Sequence, residues 1–174
     1  MPPMTLRRLL DHLYDAAAYL AALFMVGTLA MVLVGIIERL LHFHLPGTDA
    51  YAGYCTAGAG FLALAHTLKR GEHIRVTLVL EHVPRGAQRP LELWSLSAGT
   101  ALAALFAFYS VRLAVQSWQF NDISTANDAT ALWIPQLTMA LGTVVLMIAL
   151  ADELVLEWRG ARRKKIPAEA LRSE

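Results

Sequence analysis

The residues of this chain best suited to redox or metal chemistry are six histidines and one cysteine. Axial haem ligation between membrane helices needs imidazoles on facing helices. His12, His42, His44, His73 and His82 fall outside the long apolar runs set out below, and His66 alone lies inside one, near its end. A single imidazole at that position reads as an interfacial side chain. Cys55 has no second thiol for a disulfide or a zinc site and reads as a small packing residue. Neither a helical H-E-x-x-H, a phosphate-cradling glycine loop nor G-x-S-x-G occurs. The expectation is a protein that is not an enzyme and that holds no cofactor and no metal.

The other chemistry open to such a chain is the movement of ions or polar solutes. That requires ionisable side chains within the membrane, facing a polar cavity. Every Asp, Glu, Lys and Arg here lies at or beyond the ends of the apolar runs; Glu38, Arg39 and Arg112 come nearest to an interior and are each expected to snorkel to the interface. No run carries a strong Gly/Pro break at its centre, as a substrate-binding broken helix would. The chain is therefore poor in the parts needed to move a polar solute alone.

The elements that hold these residues follow from composition. With 56% hydrophobic and 17% charged residues, a 174-residue chain is too apolar for a water-soluble domain. A net charge of +1 gives no global field for nucleic acid, so no nucleic-acid partner is expected. Four charge-free runs, 16–37, 50–68, 93–111 and 129–151, are long enough to cross about 30 Å of hydrocarbon. They lack period-two alternation and exceed the ~10-residue strand of a membrane barrel. The reading is an all-α integral membrane protein, one four-helix domain with spans at about 14–38, 50–69, 91–118 and 129–158. The first run is too long for a signal-peptide core and is followed by Glu38 and Arg39, so it is expected to be retained.

Punctuation supports these limits. Gly71 follows Lys69 and Arg70, Pro90 stands at the expected first turn of span three, and Asn127 and Asp128 precede span four. Pro135 falls near the first turn of span four, and Gly160 follows Arg159 at its end. Trp94 and Trp158 mark one interface, Trp118 and Trp133 the other. Thirteen of the fifteen Lys and Arg residues sit on the leader, the second loop and the tail, which predicts both termini in the cytoplasm.

Three stretches offer contact surface. Val76, Val79, Leu80 and Val83 recur at helical spacing, predicting a short amphipathic helix over 74–83 in the cytoplasmic interface, ended by Pro84. Ser95, Gly99, Ala103 and Ala107 form a ridge of small side chains that lets another helix approach. Whether that neighbour belongs to this chain is not legible. In the tail (159–174), Arg162, Arg163, Lys164 and Lys165 are candidates for membrane-lipid head groups.

At Gly71-Glu72-His73-Ile74-Arg75-Val76, after span two, the chain resembles the small membrane subunit, DctQ-type, of the tripartite ATP-independent periplasmic (TRAP) transporters. Other features carry the resemblance too: Pro84 ending the cytoplasmic segment, the Trp133-Ile134-Pro135 lead-in to span four, and Gly142 beyond it. The chain departs from that pattern before span two, where Leu45-Pro46-Gly47-Thr48-Asp49 leaves Asp49 as the only acid. It departs again in a third loop rich in Asn and Asp, including Asn121 and Asp122. The resemblance implies a bacterial inner-membrane subunit that braces a large permease, with a periplasmic substrate-binding protein delivering an organic acid. Glu72, His73 and Arg75 would then hold the second loop against the membrane or the permease. The other classes left open are a four-helix anchor of a redox complex, with or without haem, and a free-standing small transporter.

Overall fold

The computed structural model describes residues 4–43, 45–70 and 85–160. Four helices account for nearly all of them: α1 Met4–Leu41, α2 Thr48–Arg70, α3 Arg85–Gln119 and α4 Trp133–Trp158. Their 38, 23, 35 and 26 residues give lengths of roughly 57, 35, 52 and 39 Å at 1.5 Å per residue. Among the described residues the extended backbone amounts to one isolated bridge, Ile123 to Ala131.

Three helices, α1, α3 and α4, are both long and apolar enough to cross a membrane. α2 has the length but not the composition: its glycines, threonines and tyrosines, with Asp49, Lys69 and Arg70 at its ends, dilute its apolar content. Its place in the packing explains this. α1 packs on α2, α2 on α4, and α4 on α3, with only slight contact between α1 and α4. α2 is thus an inner helix with a protein neighbour on two sides.

Small residues set the spacing. A Cβ added at Gly142 of α4 would lie 2.5 Å from the backbone carbon of Phe61 and 2.6 Å from its oxygen, so α2 and α4 cross with backbones in near contact. Gly58 gives the same freedom toward α1, where the Phe24 ring lies 3.2 Å from its missing Cβ. One core cluster draws on three helices: Tyr14 and Ala17 of α1, Ala65 and Leu68 of α2, Val145 and Ala149 of α4.

Two boundaries differ from expectation. α3 begins at Arg85, so Pro90 is its sixth residue rather than part of its first turn, and the ring removes one helical bond. α4 begins at Trp133 instead of about 129; its N-cap is Leu132, without a side-chain cap, and Asn127 and Asp128 belong to the loop. Pro135 then falls in the first turn of α4, where no amide donor is needed. The end of α4 agrees with the sequence: Gly160 takes φ +66° directly after Arg159. The amphipathic helix expected over 74–83, the Gly71–Arg75 stretch and the basic tail lie outside the described residues.

Candidate functional site

At the end of the bundle where α1 starts and α2 finishes, charge is turned inward. Lys69, in the last turn of α2, pairs with Asp152 and lies 3.5 Å from Glu153 on α4. These side chains are only 14%, 16% and 13% exposed. The Lys69 ammonium also stands 5.0 Å from the centre of the Tyr14 ring of α1, a cation–π distance. Beside them His66 Nδ1 lies 3.7 Å from Asp15. α1, α2 and α4 are therefore tied by polar contacts at the level where the core cluster ends. Arg89 of α3 donates to the carbonyl of Trp158 at 3.2 Å, closing the same end.

The sequence shows that these charges flank the apolar runs, but not that they face one another. Glu38 is the clearer correction. Instead of snorkelling outward it is buried, accepting hydrogen bonds from the Leu45 amide at 3.0 Å and the Thr48 hydroxyl at 3.2 Å. It thereby fastens the α1–α2 turn to the first residue of α2. Arg39 and Arg112 are exposed, and Arg39 lies 3.6 Å from Asp49.

At the opposite end, the third loop is folded onto α2. The Ser124 amide donates to Thr130 O at 2.8 Å and the Leu132 amide to Asp122 O at 3.0 Å, which bends the loop into a tight hairpin. Tyr54 donates to Asp128 Oδ2 at 3.0 Å, Ser124 donates to Oδ1 at 2.7 Å, and Thr130 donates to the Tyr51 hydroxyl at 3.0 Å. The Ser124 hydroxyl above all, with Thr130, Tyr54 and the residue's own backbone, holds the Asp128 carboxyl at about 2, below the usual carboxylate range. Gly47, at φ +90°, leaves room for this loop: a Cβ there would sit 2.5 Å from that of Asp128. Asp49, Asn121 and Asp122 point into solvent around this plate.

The small-residue ridge of α3 is used within the chain. Gly99 faces Leu150 of α4, Ala103 and Ala107 are buried, and the stripe continues through Ser110, Ala114 and Ser117, also buried. Only Ser95, at its N-terminal end, is exposed. Trp133 and Pro135 are half-buried at the start of α4, and Gly142 is the close-contact residue against Phe61. Among the described residues, no cluster of three or more His, Cys, Asp or Glu side chains is arranged to hold a metal.

The arrangement is that of a multi-pass membrane protein whose polar groups join its helices at their ends. The family model for the DctQ component of tripartite ATP-independent periplasmic transporters matches residues 28–160, and the chain belongs to that family. No curated protein matches it closely enough to count as a relative.

Proposed function

We propose that this protein is the scaffold subunit of its transporter, bracing a large permease subunit for binding-protein-dependent, ion-gradient-driven uptake of an organic acid. The observation that carries the reading is the family match over 28–160. Support comes from where the charges lie. The inward-facing ionisable groups Glu38, Lys69, Asp152 and Glu153 sit toward helix ends, where they join helices or fasten a turn, and none of them forms a site at mid-depth. The solute path then belongs to the partner. In this reading all four helices span the bacterial inner membrane, with both termini cytoplasmic. α2 crosses in the company of α1 and α4, which pack on it from two sides.

The loops divide the partners. The plate of Tyr54, Ser124 and Asp128, with the solvent-facing Asp49, Asn121 and Asp122, stands on the periplasmic side, where the binding protein arrives. The Gly71–Arg75 stretch, the apolar stripe of 74–83 and the basic tail stand on the cytoplasmic side, toward permease and lipid. A reporter active only outside the cytoplasm is expected to work when fused near Gly47 or Thr125 and to fail after Arg85; the reverse pattern overturns the orientation. The function is tested by reconstituting the small subunit, the large subunit and the pair with the binding protein and a labelled candidate acid under a sodium gradient. Transport by the pair only is expected. Uptake by the small subunit alone, or full uptake by the large subunit without it, contradicts the scaffold role.

A further inference from the structure

α2 alone among the four helices lacks the apolar content of a lone span, so on the four-span reading something besides its own composition carries it across. Its seam with α1 is closely packed. A Cβ built on Gly27 would lie 3.2 Å from Cys55 Sγ, and one on Gly58 would lie 3.2 Å from the Phe24 ring. The Thr28 and Thr56 hydroxyls are 3.4 Å apart across the same seam. At the turn, Glu38 accepts from the Leu45 amide and the Thr48 hydroxyl. The other ties of α2 lead to residues made later: Phe61 to Gly142, Tyr54 to Asp128 and Lys69 to Asp152. At roughly 5–20 residues of synthesis per second, α4 follows α2 by seconds.

We infer that α1 and α2 enter the membrane as one hairpin, closed at the Glu38 turn, and that α4 docks on α2 afterwards; the inference rests on the four-span reading above. Three observations select α1 over α4 as the helix that carries α2 in. α1 is the neighbour already made, and it is itself apolar enough to cross. The seam hydroxyls need no later partner: Thr28 donates to Phe24 O at 3.1 Å and Thr56 to Ala52 O at 2.8 Å, so both enter hydrocarbon with their protons satisfied. Finally, a bare carboxylate is costly to move through hydrocarbon, and the donors that offset this cost at Glu38 come from the turn and the first residue of α2. At the trailing end of the hairpin, Lys69, Arg70, Arg85 and Arg89 keep the second loop in the cytoplasm.

The test uses the full chain, newly made in intact cells and pulse-labelled, so that insertion is read whether or not the finished protein is stable. In a reference chain carrying Cys55→Ser, a single cysteine replaces the exposed Ala87 near the start of α3, and a membrane-impermeant maleimide is added from outside. A chain whose α2 has not crossed leaves position 87 outside, where it is labelled. Gly27→Leu wedges the seam and Glu38→Ala removes the clasp, both without altering α2 itself; each is expected to raise outside labelling at 87 about tenfold over the reference. Gly142→Leu, which wedges the later contact with α4, is expected to leave labelling at the reference level while lowering the melting temperature of the purified protein. Strong labelling at 87 in the reference chain overturns the four-span reading and this inference together. A protected reference with protection in either seam variant overturns the inference alone, and so does labelling of Gly142→Leu as strong as that of Gly27→Leu.

Discussion

α2 and α3 meet their surroundings in opposite ways. α3 is an edge helix: its buried stripe of Ala103, Ala107, Ser110, Ala114 and Ser117 faces inward, and Leu102, Leu105, Phe108 and Tyr109 stand outward. A helix with lipid on one side and protein on the other is expected to look like this. α2 is an inner helix whose remaining open face carries Gly53, Thr56 and Gly60. Bulky side chains fill the space beside lipid chains, whereas small ones let another backbone come close. The difference teaches that mean hydropathy does not by itself rank a helix's place in the bundle: α2 falls short as a lone span, yet it packs on both α1 and α4.

The comparison can be broken most forcefully at the C-terminal end of α2. Lys69→Met leaves Asp152 and Glu153 without this cation in a half-closed site, and breaking a buried pair costs about 3 kcal/mol after allowance for the remaining solvent access. The purified protein is expected to melt well below wild type in a thermal unfolding assay, and the additional loss of both acids in Asp152→Asn/Glu153→Gln is expected to recover part of the difference. An unchanged melting temperature for Lys69→Met would show that charge does not bind α2 to α4.

Next in size is the crossing itself. Gly142→Ala puts a methyl group against the Phe61 backbone, which has no flexible atom to yield, so overpacking of about 2 kcal/mol is expected. The same change at Gly60, where the space is open, is expected to raise stability slightly through helix propensity. Equal effects at the two positions, read in parallel unfolding experiments, would remove the distinction between the covered and open faces of α2.

A smaller effect belongs to the third loop, at the opposite end of the bundle. Because Asp128 titrates at about 2 instead of its ordinary 3.8, its tie to Ser124 and Tyr54 is fully present above about pH 4 and is lost as pH falls through 2. Hydrogen exchange at the Ser124 amide is expected to lose protection across that window in wild type. In Asp128→Asn, protection is expected to be lower and without the acid transition. An identical profile in both would mean that the hairpin, not the carboxylate, holds the loop on α2.

Much of this was legible in the sequence. The charge-free runs located all four helices, and Gly160 marked the end of α4, because hydrophobic length and a left-handed glycine are local properties. What was missed depends on pairing between distant segments. Lys69 and Asp152 each looked like ordinary flanking charges until α2 and α4 were set side by side. Glu38 looked free to reach water until the α1–α2 turn brought the Leu45 amide and Thr48 hydroxyl to it. The ridge of α3 was visible as a contact face, but its partner, α4, was not. Which face of α2 stays open depends on how α1 and α4 pack on it, which is a property of the fold.

The contrast between α2 and α3 is tested most directly by placing a photoreactive amino acid at Leu62, buried in α2, or at Leu105, exposed on α3, and illuminating the protein in its native membrane. The account predicts adducts within the chain from position 62 and adducts with lipid from position 105. Lipid adducts from position 62 together with adducts within the chain from position 105 would contradict it.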